Sequence, residues 1–145
     1  MIKVKPLARI YALSAVALTI LVILIFEIFR WTLGIDPPGS AGVIAIIVAT
    51  IWPAQSFANT YRRRPTGREA WRLSAVFTLI AIAVNAALSV VLLAILPGMA
   101  AVLAQLASPA GLTVLAVLAV IIFVAIRFAF GYFARTQLRA LEARE

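Results

Sequence analysis

The chain contains no cysteine and no histidine. These absences exclude disulfide bonds, thiol nucleophiles and imidazole acid–base catalysis, together with the zinc and haem sites that depend on these side chains. Acidic residues are also scarce, and no two are spaced to pair carboxylates on one helix face inside a membrane. We therefore expect no catalytic site, no metal site, no bound cofactor and no enzymatic activity. The five acidic residues are Glu27, Asp36, Glu69, Glu142 and Glu145.

Charge of either sign is scarce as well. Only 12% of the 145 residues are charged and 65% are hydrophobic, whereas a soluble domain is roughly a quarter charged. The three longest stretches without a charged side chain cover residues 10–26, 37–61 and 73–126. Since a soluble globule of this size cannot hide so much apolar surface, the composition predicts an integral membrane protein.

Four segments are long enough to cross a bilayer core about 30 Å thick, which requires roughly 20 apolar helical residues. They lie at about residues 7–29, 41–61, 71–96 and 109–133, and residues 134–145 continue the last one as an amphipathic helical tail. The N-terminal basic and apolar run lacks a small-residue cleavage motif, so we expect a retained first span rather than a secretory signal. The predicted fold is all-α, a single-domain integral membrane four-helix bundle covering residues 1–145.

Local motifs support these boundaries. Thr66 and Glu69 have the spacing of a capping box at the start of the third helix, and Ser108 followed by Pro109 suits the start of the fourth. A turn at 34–39 separates the first two spans, and residues 99–107 suit a short helix at the membrane interface.

Lysine and arginine are divided very unequally between the two sides of the membrane. Eleven lie at the N-terminus, in the central loop or in the tail, against Arg30 alone on the opposite side. The positive-inside rule therefore places both termini and the central loop in the cytoplasm. The eleven are Lys3, Lys5, Arg9, Arg62, Arg63, Arg64, Arg68, Arg72, Arg135, Arg139 and Arg144.

A polar and small stripe runs along the third span, with Asn85 near the middle of the membrane. An amide at this depth is costly unless it has a hydrogen-bond partner. Our preferred interpretation is that the stripe faces the other helices and that Asn85 bonds across to one of them. The alternative is a stripe that lines a polar path or a binding pocket. The stripe consists of Ser74, Thr78, Ala81, Asn85 and Ser89.

Pro53 is expected to bend the second span near mid-membrane, because it removes one backbone hydrogen bond and crowds the carbonyl four residues earlier. Gln55, Ser56 and Asn59 follow the bend on its cytoplasmic side. A static packing bend is favoured over a hinge or a polar vestibule.

Two charged residues lie within apolar runs. Small four-helix multidrug exporters use a first-helix glutamate for proton coupling, but Glu27 lies near the outer end of its span rather than at mid-depth, and Arg30 lies three residues on. We therefore favour a structural ion pair. Arg127 lies at inner-leaflet depth, where its side chain can reach the headgroups. A sharper hypothesis is that Arg127 meets the polar residues of the bent second span.

The central loop carries four arginines between Tyr61 and Trp71, and a fifth follows Trp71 directly. They are Arg62, Arg63, Arg64, Arg68 and Arg72. Basic residues near an anionic leaflet each contribute about 1 kcal/mol of attraction. Anionic lipid headgroups are therefore the expected partner, with an acidic surface of another protein as the alternative. The net charge of +8 requires no nucleic acid.

The loop also resembles that of an uncharacterised family of small four-span bacterial inner-membrane proteins. The resemblance rests on the basic run followed by Pro65-Thr66-Gly67-Arg68-Glu69 and on the four-span layout. It implies a bacterial inner-membrane location and no particular activity.

These features favour a non-enzymatic accessory or interaction protein that positions a membrane partner. The alternative is a small homo-oligomeric transporter or lipid-binding protein with a polar path near Asn85, lined also by Ser89, Pro53 and Gln55.

Overall fold

The computed structural model describes residues 2–34, 41–95 and 104–143, and within these ranges all regular structure is helical. Some sequence predictions lie outside the described residues. They concern residues 35–39 of the predicted turn, residue 96 at the end of the third span, residues 99–103 of the predicted interfacial helix, and Arg144. Residues 104–106 form a single helical turn. The five longer helices are α1 (Val4–Leu33), α2 (Ala41–Val48), α3 (Ile51–Tyr61), α4 (Gly67–Ile95) and α5 (Pro109–Glu142).

Among the residues that the structure describes, four helices are long and apolar enough to cross a membrane, namely α1, α4, α5 and the segment Gly42–Tyr61 formed by α2 and α3 together. This confirms the predicted all-helical class and the predicted number of apolar helices. The longest, α5, has 34 residues and extends about 50 Å at 1.5 Å per residue. It is therefore considerably longer than a bilayer core.

The predicted helix starts are present. The Thr66 N–H donates to Glu69 Oε2 at 2.9 Å, and the Glu69 N–H donates to Thr66 Oγ1 at 3.4 Å, which completes the capping box. Ser108 caps α5 by accepting from the Gly111 N–H at 3.1 Å, with Pro109 at the first helical position. At the other end of α1, Gly34 adopts a left-handed conformation, φ 65°, and donates its N–H to the Arg30 carbonyl.

The second span is interrupted between α2 and α3, at Ala49 and Thr50, one turn before Pro53. Pro53 has no N–H to offer the Ala49 carbonyl, and the Thr50 N–H turns to Ile47 instead of Ile46. The carbonyls of Ile46 and Ala49 thus both lose their helical donors. The bend predicted at Pro53 is therefore present as a break between α2 and α3.

Helix α1 supplies the two missing donors. The Ser14 hydroxyl lies 3.1 Å from the Ala49 carbonyl oxygen and shares its proton with the Tyr11 carbonyl of its own helix at 3.0 Å. The Tyr11 hydroxyl lies 3.3 Å from the Ile46 carbonyl oxygen. Tyr11 is fully buried, so its hydroxyl has no access to lipid headgroups or water. Because an unpaired carbonyl in an apolar interior is costly, these two bonds hold α1 against the interruption.

An aromatic cluster joins four helices around this contact. The Tyr11 ring stacks on Phe77 of α4 with centroids 4.5 Å apart, and Phe77 meets Phe130 of α5 edge to face at 5.7 Å. Phe130 in turn contacts Phe57 of α3 at 5.8 Å. All four rings are fully buried, so they form the centre of the core.

One end of the molecule, which we call the basic end, brings the N-terminus, the central loop and the end of α5 together. The Lys3 backbone N–H donates to the Tyr61 hydroxyl at 2.8 Å, and Gln137 of α5 donates to Asn59 of α3 at 3.2 Å. The buried residues of α1 and α5 all lie towards this end, each set spaced by four so that it forms one stripe. They are Leu7, Tyr11, Ala15 and Thr19 in α1 and Ile122, Ile126, Phe130, Ala134 and Leu138 in α5.

The opposite parts of the three long helices are different. No residue described at 20–33 of α1, 82–91 of α4 or 109–121 of α5 is buried. We call these three segments the distal segments. The described part of the chain therefore forms a core near its basic end, and the side chains described in the distal segments are exposed or at most half-buried.

The two bonds from α1 predict a specific cost of mutation. Ser14→Ala leaves the Ala49 carbonyl without a donor and should lower the free energy of unfolding by about 1–2 kcal/mol. The measurement is reversible unfolding in mixed detergent micelles. Ser89→Ala is the control, because the Ser89 hydroxyl bonds only the carbonyl of Asn85 in its own helix.

A double mutant sharpens this test. Pro53→Ala supplies a backbone N–H to the Ala49 carbonyl, so Ser14→Ala should cost much less in that background than in the wild type. Equal costs in the two backgrounds, or a cost no larger than that of Ser89→Ala, would contradict the assignment.

Candidate functional site

The central loop is held in shape by one of its arginines. Arg63 makes a two-pronged contact with Glu69, from Nη1 to Oε2 at 2.8 Å and from Nη2 to Oε1 at 2.7 Å, and also donates to the Arg64 carbonyl. The hydrogen bond to Glu69 raises the pKa of Arg63 above its ordinary value. Since the same carboxylate accepts the Thr66 N–H, Glu69 links the helix cap to the loop.

The other arginines of the predicted contact surface are exposed. Arg62 ends α3 in a left-handed conformation, φ 48°, with its N–H on the Ala58 carbonyl. Its side chain lies beside a small groove formed with Leu138, Leu141 and Glu142. Arg64, Arg68 and Arg72 are exposed as well. The loop therefore presents Arg62, Arg64, Arg68 and Arg72 outward, while Arg63, also exposed, is engaged by Glu69.

A larger groove, which we call the basic groove, lies between the start of α4 and the face of α5 that approaches it. Its volume is about 690 Å³. Three arginines from two distant parts of the sequence line it, and none of its lining residues is acidic. The lining residues are Arg64, Pro65, Gly67, Ala70, Arg127, Phe128, Ala129, Gly131, Tyr132 and Arg135.

Arg127 is the half-buried arginine of the basic groove. Its guanidinium carbon lies 4.6 Å from the centre of the Trp71 ring, and Trp71 also contacts Phe123 at 5.2 Å. A cation over an indole face is attracted by the ring quadrupole. The Arg127 Nε is buried and has no hydrogen-bond partner among the described residues.

This position of Arg127 contradicts the hypothesis that its side chain meets the polar residues of the bent second span. The structure places its guanidinium against Trp71 of α4, and no described residue of the second span accepts a hydrogen bond from its Nε. Of the polar residues after the bend, Gln55 is exposed and Asn59 pairs with Gln137 of α5. The buried face of α5 at Ile126 and Phe130 packs into the core, which turns Arg127 away from it.

The polar stripe on α4 faces the core along part of its length. Ser74, Thr78 and Ala81 are buried, as predicted for a stripe that faces other helices. Ser74 Oγ and Thr78 Oγ1 have no hydrogen-bond partner among the described residues. The stripe therefore brings two unpaired hydroxyls into the helix packing.

Within the described residues, Asn85 makes no side-chain hydrogen bond to another helix, contrary to our preferred interpretation. Its side-chain amide donates to the Ala81 carbonyl at 2.8 Å, and Ser89 donates to the Asn85 carbonyl at 2.9 Å. Both contacts stay within α4, because both residues lie in a region that no neighbouring helix covers completely and are half-buried. Neither groove described above includes Asn85.

Glu27 pairs with Arg30 as its spacing predicts. Arg30 Nη1 and Glu27 Oε1 are 3.5 Å apart, and both side chains are exposed. The pair lies in the distal segment of α1, away from the basic groove. Within residues 2–34, 41–95 and 104–143, no group of three metal-ligating side chains comes together.

Arg135 and Gly131 were not predicted from the sequence as parts of a site. The sequence pattern grouped Arg135 with the charges that orient the chain and left Arg127 as an isolated residue. A signal was present, since Arg127, Gly131 and Arg135 are spaced by four and fall on one face of a helix. What the spacing does not reveal is that Arg64 approaches this face from the central loop.

The role of Glu69 leads to a prediction about the loop. Glu69→Ala removes both the cap and the contact with Arg63, and should speed amide hydrogen exchange of residues 66–70 about fivefold, as expected for a lost cap worth about 1 kcal/mol. Glu69→Gln keeps an acceptor for the Thr66 N–H and should have a smaller effect. Equal exchange rates in Glu69→Ala and the wild type would contradict the assignment. Glu27→Ala is the control, because Glu27 lies in another helix.

Comparison of the chain with protein-family models, curated proteins and solved structures gives no match. Its function is therefore inferred from its own residues, from the basic end and from the distal segments.

Proposed function

We propose that this protein is a non-enzymatic accessory protein of a bacterial inner membrane, with both termini and the basic end in the cytoplasm. It is a four-helix bundle that holds a partner in the membrane while its arginines rest on anionic headgroups. The observation that carries the proposal is the contrast between the core near the basic end and the three distal segments, which bury no described residue.

The composition of the distal segments supports a partner. Lipid tails can cover any apolar surface, so exposure alone requires nothing else. However, Ala83 and Ala87 of α4 are exposed and lie one turn apart, and small residues at this spacing allow two helices to approach closely. Small residues at an uncovered helix face favour a helix of another chain over lipid.

The orientation rests on the division of basic residues and on the resemblance of the central loop to small bacterial inner-membrane proteins. Residues of the central loop, the N-terminus and the end of α5 meet at one end of the molecule. An end with this charge is retained on the cytoplasmic side, where the leaflet is anionic.

The alternative of a homo-oligomer with a polar path near Asn85 has weaker support. The Asn85 side-chain nitrogen already donates to the Ala81 carbonyl of its own helix, so this donor does not require a polar lumen. A second copy of this chain is nevertheless one of the partners that the distal segments would accept.

The orientation can be tested directly because the chain has no cysteine. Thr32→Cys and Ala140→Cys place single thiols at exposed positions near opposite ends. In intact cells a membrane-impermeant maleimide should label Thr32→Cys, and should label Ala140→Cys only after the membrane is permeabilised. The reverse pattern would overturn the proposed orientation.

The partner can be tested by cross-linking from two matched positions of α4. Val90 in the distal segment and Leu79 near the core are 65% and 67% exposed, and their separation of eleven residues puts them on the same helix face. A photoreactive phenylalanine at Val90 should give one discrete protein adduct in the native membrane, and the same probe at Leu79 should give much less.

The identity of the adduct decides between the two functions. A stoichiometric second protein supports the accessory role. An adduct of twice the chain mass favours the homo-oligomer, and lipid adducts alone at both positions would overturn the proposal of a partner.

A further inference from the structure

We propose that the basic groove binds the phosphate of an anionic phospholipid headgroup. Arg64, Arg127 and Arg135 line one cavity with no acidic residue among its walls, and together they supply the donors and the charge that a phosphate requires. None of the three pairs with a carboxylate in the described part of the chain: Glu27 is held by Arg30, Glu69 is held by Arg63, and Glu142 lines the separate small groove beside Arg62. The groove is thus a concentration of positive charge without an internal counter-ion.

Arg127 is the residue that most needs such a counter-ion. It is half-buried between α4 and α5, its Nε is buried without a partner in the described residues, and its guanidinium is covered on one side by Trp71 at 4.6 Å. An arginine at this depth is costly unless a charge or an acceptor compensates it. The indole supplies only a cation–π contact, whereas a phosphate oxygen would satisfy both the charge and the N–H donors.

The shape of the groove also fits a compact anion. Arg127 and Arg135 lie on one face of α5, about 12 Å apart along the axis, with Gly131 between them. A Cβ placed at Gly131, or at Gly67 across the groove, would meet no atom within 4 Å. The two glycines therefore border open space, which forms a gap between the arginines. The groove volume of about 690 Å³ lies in the range of small-molecule sites, about 300–1,000 Å³.

The surroundings favour a lipid over a free anion or an acidic protein segment. Phe128 and Tyr132 line the groove and are exposed, and Trp71 stands beside it, which is the aromatic composition of a membrane interface. Along α5, exposed apolar side chains continue from Phe128 of the groove through Val124 to Ile121. A ligand with a phosphate and acyl chains meets both the arginines and the apolar surface, while inorganic phosphate meets only the first. Basic pockets between spanning helices bind lipid headgroups in this way.

Trp71 provides a local reporter for the test. The chain has three tryptophans, so the Trp31→Phe, Trp52→Phe double variant leaves Trp71 alone. The full-length protein in a mild non-ionic detergent is titrated with short-chain phosphatidylglycerol, short-chain phosphatidylcholine or inorganic phosphate, and Trp71 fluorescence is recorded. We expect saturable binding of phosphatidylglycerol about tenfold tighter than that of either other probe.

Variants identify the groove as the place of binding. Arg127→Gln and Arg135→Gln should each weaken phosphatidylglycerol binding about tenfold. Arg68→Gln is the matched control, because it removes the same charge from an exposed arginine that does not line the groove, and it should change binding less than about twofold. Gly131→Leu fills the gap without changing charge and should also abolish binding, so the site can still be tested if Arg127→Gln does not fold.

Four other results would each overturn the proposal. Equal losses in Arg68→Gln and Arg127→Gln would show general attraction by net charge. Inorganic phosphate binding as tightly as phosphatidylglycerol would make the ligand a free anion. An acidic peptide that displaces phosphatidylglycerol at equimolar concentration would make the groove a protein-docking site, and the absence of saturation would show no site.

The lipid site rests on the proposed function only through the orientation that puts the basic end at an anionic leaflet. Binding in detergent requires neither the orientation nor the partner. Failure of the Val90 adduct with intact phosphatidylglycerol binding would therefore remove the accessory role alone, and the reverse pattern would remove the lipid site alone.

Discussion

The rest of the core depends on one constraint, which is that the backbone carbonyls of Ile46 and Ala49 need hydrogen-bond donors from outside their own helix. Pro53 and the turn at Thr50 deprive both of their helical donors, and in an apolar interior every backbone polar group must find a partner. Tyr11 and Ser14 provide the donors from α1. Once the Tyr11 hydroxyl is held at Ile46, its ring lies against Phe77, and through Phe130 and Phe57 the same contact reaches α5 and α3. A break in one helix thereby determines how four segments meet.

The placement of the core near the basic end shapes what the molecule can do. The core holds the central loop, the N-terminus and the end of α5 together, so arginines that are distant in sequence share one surface. The same arrangement leaves no buried residue among those described in the distal segments. One part of the chain is therefore suited to headgroups and the other to lipid tails or to helices of another protein, and both follow from a core that occupies only part of the helix length.

Local features were predictable because they depend on neighbouring residues. The capping box at Thr66, the cap at Ser108 and the Glu27–Arg30 pair each need only a spacing of one to four residues, and each is present. The contacts of Asn85 and Arg127 were not predictable in the same way. Asn85 was expected to bond another helix, but its amide reaches its own Ala81 carbonyl, because no neighbouring helix covers that part of α4 completely. For Arg127 the sharper hypothesis was contact with the polar residues of the second span, and its guanidinium lies on Trp71 of α4 instead.

The sequence by itself determined that the chain is helical and apolar enough to cross a membrane four times, where α4 and α5 begin, and that the second span is broken near Pro53. These properties follow from composition, periodicity and short-range hydrogen bonding. Only the tertiary structure decided that α1 supplies the donors for the break and that Arg64 joins Arg127 and Arg135 in one groove. Such contacts join residues more than thirty positions apart, and helix periodicity determines which face a residue occupies but not which helix that face will meet.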